Sequence, residues 1–60
     1  ASVVTIKKIK KGDFFSKENI WVKRPGTGPL FAKDFNDIIG KKANKDIESD
    51  QHLKADDILS

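Results

Sequence analysis

Apolar residues fall along this chain in short bursts separated by charged ones. Ser2–Ile6 is β-branched apart from Ser2, which predicts a strand with Val4 and Ile6 on one face and Val3 and Thr5 on the other. Val4 and Ile6 are assigned to the core. Lys10 to Asp13 reads as a turn with Gly12 at positive φ, leading into Phe14 and Phe15. Ser16 offers an N-cap for a single helical turn ending at Asn19. A second strand is predicted over Ile20–Arg24, placing Ile20 and Val22 inward and Trp21 and Lys23 outward. Phe35, Ile38 and Ile39 at i, i+3 and i+4 predict a two-turn helix over Ala32–Ile39, with Gly40 just past its end. Beyond it, Ala43 marks a short strand, Ser49 and Asp50 a turn, and Lys54 to Asp57 another helical turn.

Shifting the sequence by 38 positions lays Ile9–Ile20 over Ile47–Ile58. Both windows have isoleucine at each end, a turn residue three places in (Gly12, Asp50) and a large apolar residue in the middle (Phe15, Leu53). Such a repeat implies a pseudo-twofold domain in which each half supplies one supersecondary unit to a common core. The expected fold class is mostly β with short helical turns. Its predicted core comprises Val4, Ile6, Ile9, Phe15, Ile20, Val22, Leu30, Phe35, Ile38, Ile39, Ala43, Ile47, Leu53 and Ile58.

Composition narrows this picture. Sixty residues, 37% hydrophobic and 35% charged, make one small globular domain with a small core. No apolar run reaches the roughly 20 residues of a membrane span, and no secretory leader opens the chain, so no membrane partner is expected. Without cysteine, neither a disulfide nor a thiolate metal site supports the core, which favours a cytoplasmic setting. Methionine is absent, even at position 1, so the domain is expected to be excised from a longer chain or processed. The net charge of +3 gathers at Lys7, Lys8, Lys10 and Lys11. Lysines protecting a strand edge account for that run, and no recognition helix or stacking motif accompanies it, so nucleic acid is not expected as a partner.

The segment with the most candidate chemistry is Lys23-Arg24-Pro25-Gly26-Thr27-Gly28, followed by Pro29. Pro25 fixes its own φ at about −65° and biases Arg24 towards an extended backbone, while Gly26 and Gly28 permit positive φ. The glycines fit neither dinucleotide-binding nor P-loop spacing, so turn geometry explains them better than phosphate binding. Arg24 carries a planar five-donor head suited to hydroxyls, carboxylates or phosphates; it is either a binding finger or an ordinary surface arginine. Trp21 is open between core, surface and partner contact. His52, the single histidine, lacks the companions of a transition-metal site, and Ser2, Ser16 and Ser49 have structural explanations rather than a nucleophile motif. No catalytic group and no metal site is assigned.

Taken together, Trp21-Val22-Lys23-Arg24-Pro25-Gly26-Thr27-Gly28, the preceding Ile9–Ile20 unit and the following Ile39-Gly40-Lys41-Lys42 resemble the C-terminal antifreeze-like (SAF) domain of bacterial sialic acid synthases. Related legionaminic acid synthases fit the same string. The resemblance covers residues 1–60 almost entirely and implies a β-clip, or pretzel-like, fold of the type III antifreeze kind with an internal pseudo-twofold repeat. It further implies a catalytic (β/α)8 barrel in the parent, condensing phosphoenolpyruvate with N-acetylmannosamine with Mn²⁺ or Mg²⁺. In that family the antifreeze-like domain caps the barrel of the other subunit in a domain-swapped homodimer. It contributes an arginine to the amino-sugar site, and Arg24 matches that arginine by position, with Lys23, Pro25, Gly26, Thr27 and Gly28 as its supporting loop. The fragment alone is then non-catalytic.

Two alternatives belong to other classes. Type III antifreeze proteins resemble the opening Ala1-Ser2-Val3-Val4 and the repeat, but ice binding needs a flat face of small uncharged side chains. The corresponding face here, around Lys7, Gly12 to Phe14 and Ser16 to Asn19, carries Lys7, Asp13, Lys17 and Glu18. The other alternative is a SAF domain of another carbohydrate-related protein, in which the Lys23-Arg24-Pro25-Gly26 string is not expected.

Overall fold

Strand β1 (Ser2–Thr5) pairs antiparallel with β2 (Ile20–Lys23), and the register sets Val3 opposite Val22 and Thr5 opposite Ile20. The computed structural model describes residues 1–24 and 26–59. Directly opposed residues share a face of a sheet, so Ile20 and Val22, which point inward as predicted, bring Val3 and Thr5 inward with them. The predicted phase of β1 is therefore inverted. Val3 is fully buried in the core cluster, whereas Ile6 lies past the strand's end and is 46% exposed. Val4 is buried too, but on the opposite face and outside that cluster. A strand that is β-branched apart from Ser2, with one hydroxyl residue on each face, carries no polar alternation to reveal its phase.

A second antiparallel pair joins β3 (Lys42–Ala43) to β4 (Ile58–Leu59). Between the two pairs run α1 (Phe35–Ile38) and the 3-10 turn that precedes it (Ala32–Asp34); another 3-10 turn (Ala55–Asp57) leads into β4. The predicted helix over Ala32–Ile39 is thus split between two helical geometries, and it ends at Gly40 with φ +91° as its sequence implied. The fold is mostly β with short helical turns.

The short turns share one device. A side-chain oxygen three residues ahead accepts the N–H that opens the turn: Asp13 for Lys10, Asn19 for Ser16, Asp34 for Phe31 and Asp57 for Lys54, at 2.9–3.0 Å. This satisfies a donor that a single turn cannot pair internally, and it explains the spacing of the polar residues. Around Ser16 the backbone closes a hydrogen-bonded turn, with Asn19 and Ile20 donating to the Ser16 carbonyl, but no helix forms.

The two halves meet in the core through Ile9 and Ile47, whose backbones exchange both hydrogen bonds at 2.8 Å. Other bonds recur 38 positions on with their partners exchanged. Thr5 N–H donates to the Gln51 carbonyl and Ala43 N–H to the Asp13 carbonyl; Leu53 N–H donates to Val3 and Phe15 N–H to Lys41. Gly12 and Asp50, equally spaced, both take positive φ (91° and 59°). Phe15, Ile20, Ile38, Ala43 and Leu53 close the core with Val3, Ile9 and Ile47, and Val22, Leu30, Phe35, Ile39 and Ile58 pack partly buried against it. Thr5, fully buried, donates its hydroxyl to the Glu48 carbonyl and accepts the Gln51 N–H, so its polar atom is satisfied inside.

Candidate functional site

Ser2 is the residue from which the candidate site is best built, because the chain returns to it three times. Its backbone pairs with Lys23 of β2 on one side and bridges to Phe31 on the other, so the segment before Phe31 runs along β1 as an irregular third strand. Val3 N–H donates to the Leu30 carbonyl at 3.0 Å and Ala32 N–H to the Ala1 carbonyl at 2.9 Å. The Ser2 hydroxyl, itself fully buried, accepts the Gly28 N–H at 2.7 Å. Through Leu30 to Ala32 this segment pairs along the edge of β1, and through Gly28 it covers the Ser2 side chain.

The glycines of the loop now have a different reason from the one their sequence suggested. Gly28 is buried and does not take positive φ; a Cβ there would lie 2.9 Å from His52 Cγ and 3.1 Å from Ser2 Cβ. At Gly26 a Cβ would lie 2.9 Å from the Ala1 nitrogen. Close approach of the loop to the N-terminal segment and to the imidazole ring demands glycine at both. His52, dismissed as a metal ligand, is the wall against which the loop lies, and its backbone bridges to Val4.

Arg24 sits at a bend directly after β2, exposed to solvent. Among the described residues it enters no ion pair. Lys23 is exposed as predicted, and its Nζ meets Asp50 Oδ1 at 3.1 Å. Thr27 is exposed beside the buried Gly28, and Pro25 lies outside the described residues. The structure therefore holds Lys23 and Gly28, the two arms of the loop, against Ser2, and Arg24 is exposed in the segment between them.

Two grooves flank this region. One, of about 580 Å³, is lined by Pro29, Ile47, Gln51, His52 and several charged residues. Its Lys45 is engaged by Asp56 at 3.2 Å and Asp57 at 3.8 Å. The other, of about 270 Å³, lies beside Trp21, which is 49% exposed and meets Phe35 edge-on with centroids 5.6 Å apart. Trp21, open in the sequence between core, surface and partner contact, is thus a half-covered surface residue on the outward face of β2. Arg24 lines neither groove. Among the described residues no three side chains of His, Asp and Glu converge as a metal-donor set, and no helix is long and apolar enough to cross a membrane. Lys7, Asp13, Lys17 and Glu18 are all exposed, so the face compared with an ice-binding surface presents charges whose hydration opposes docking to ice.

Sequence reasoning missed Ser2 and His52 as supports of the loop. The available signal was Ser2 as the one non-branched, polar member of its strand, together with two glycines spaced to lie against something bulky.

Comparison with known proteins points the same way as the motif. Pseudaminic acid synthase of Campylobacter jejuni is 46% identical over 56 residues, which is 93% of this chain and 16% of that protein. Pseudaminic acid synthase of Helicobacter pylori is 40% identical over 57 residues, 95% of this chain and 16% of that protein. N,N'-diacetyllegionaminic acid synthase of Campylobacter jejuni is 38% identical over 53 residues, 88% of this chain and 16% of that protein. The chain thus spans only a small part of the length of the curated relatives it matches. The family model described as the SAF domain matches residues 1–59, from the segment under Gly26 to the end of β4, and the chain belongs to that family.

Proposed function

We propose that this chain is the substrate-capping, non-catalytic domain of a synthase that condenses phosphoenolpyruvate with an N-acetylated amino sugar of the N-acetylmannosamine class to give a nine-carbon sugar acid. The product is of the sialic, pseudaminic or legionaminic type. In this reading the domain accompanies a (β/α)8 barrel in a cytoplasmic homodimer and caps the barrel of the second subunit. Arg24 supplies directed hydrogen bonds to the sugar there, with Lys23, Pro25, Gly26, Thr27 and Gly28 shaping its loop. The β-clip description and pseudo-twofold symmetry belong to the same proposal, supported by the hydrogen bonds that recur 38 positions apart. Mn²⁺ or Mg²⁺ would be held by the barrel.

The observation that carries the reading is the placement of Arg24: exposed, outside both grooves described above, yet on a loop whose two arms are tied to a buried residue. An exposed arginine on a loop fastened in this way suits a site completed by another molecule rather than a pocket of its own domain. Its contribution would be orientation of the sugar and exclusion of water from the reacting carbon. The test is Arg24→Ala in the full-length synthase that contains this domain. The expected result is a fall in kcat/KM of about tenfold or more, as for loss of a charge-assisted hydrogen bond, with the domain's Tm unchanged because the residue is exposed. Unaltered kinetics would remove Arg24 from the sugar site.

A further inference from the structure

We propose that Ser2 is the positioning residue for Arg24, setting its direction by fastening both arms of the loop; this rests on the sugar-site reading of Arg24 given above. One arm is fastened through the backbone, since Ser2 pairs with Lys23, the residue immediately before Arg24. The other is fastened through the side chain, since the Ser2 hydroxyl accepts the Gly28 N–H at 2.7 Å with Ser2 fully buried. Gly28 also lies close to the His52 ring, on the same side as Ser2, where there is no room for a side chain. A tight loop whose ends converge on one buried residue has little freedom to swing its first member. Its guanidinium is then pre-oriented before substrate arrives, which saves ordering at the moment of binding.

The hydroxyl, rather than general packing, is what matters at this position. Alanine fits the space left by serine and keeps the pairing to Lys23, but it leaves the Gly28 N–H buried without an acceptor. The second arm then separates from β1 to find water. Ser2 touches no substrate in this scheme, and its effect on binding passes entirely through Arg24.

Two measurements test it with Ser2→Ala. In the chain itself, hydrogen exchange at the Gly28 amide should accelerate about tenfold or more, as for loss of a buried hydrogen bond, while the mutually bonded amides of Ile9 and Ile47 keep their protection and report an intact core. Unchanged exchange at Gly28 overturns the tether. In the full-length synthase, Ser2→Ala should raise KM for the amino sugar about two- to tenfold and leave KM for phosphoenolpyruvate unmoved. In the Arg24→Ala background the same substitution should have no further effect. An equal effect of Ser2→Ala with and without Arg24 overturns the positioning role while leaving Arg24 in the sugar site. A neutral Arg24→Ala sinks the sugar-site reading, and the positioning role with it.

Discussion

Gly28→Ala isolates the close packing behind the Arg24 loop, because the added methyl meets neighbours without any dihedral penalty. Gly28 has no positive φ, so its backbone suits alanine, and replacing glycine would by itself stabilise the fold by about 0.4–1 kcal/mol through the unfolded chain. Opposing this, the new Cβ would lie 2.9 Å from His52 Cγ, 3.2 Å from His52 Cδ2 and 3.1 Å from Ser2 Cβ. Carbon pairs prefer about 3.5–4.0 Å, so these neighbours must yield by roughly half an ångström or more. The His52 ring is exposed and can turn, whereas Ser2 is fully buried between Lys23 and Phe31 and cannot. Overpacking of this kind costs about 1–3 kcal/mol, and the net loss should be roughly 1–2 kcal/mol. For a domain of this size that corresponds to a fall in Tm of roughly 4–16 °C, readable by circular dichroism or calorimetry. His52→Ala should remove two of the three short contacts and return about half of the loss in the double variant. A Tm for Gly28→Ala equal to or above the parent's would show that the loop does not lie against His52 and Ser2 as described.

Two further substitutions test other parts of the fold. Val3→Ala removes two buried methyls from the core cluster and should cost roughly 2 kcal/mol in urea denaturation, against under about 1 kcal/mol for Ile6→Ala; the reverse order would restore the phase predicted from sequence and refute the inverted one. Asp50 stands at φ 59° and pairs with Lys23 on the surface, where such a pair contributes about 0.2–1 kcal/mol. Asp50→Ala should therefore be about 1 kcal/mol less stable than Asp50→Gly, because both lose the pair but only glycine suits the backbone; equal stabilities would show that the left-handed turn is not required.

What could be read from the chain was whatever is local. Gly12 and Gly40 take the positive φ their positions implied, and the turns at Lys10 to Asp13, Ser16 to Asn19 and Lys54 to Asp57 form where they were read, though the capping oxygens of Asp13, Asn19 and Asp57 were not foreseen. The inward set of β2 was legible because Trp21 and Lys23 alternate with Ile20 and Val22, while Arg24 was singled out by a motif. The phase of β1 was not, and the reason is non-local. Pairing with β2 makes Val3 and Thr5 face the core, while Ser2 is covered by Gly28 and the edge of β1 by Leu30 to Ala32, all bound largely through backbone atoms whose identity leaves no trace in the sequence. A strand sandwiched in this way needs apolar or satisfied side chains on both faces, so its composition signals burial without direction. The same covering converts Ser2 from an unremarkable strand residue into the acceptor for Gly28. The tether beneath Arg24 follows from that inversion: register with β2 turns Ser2 away from the core, the loop after β2 returns to it, and what holds the candidate site is a residue on the face of β1 that its pattern had assigned to the core.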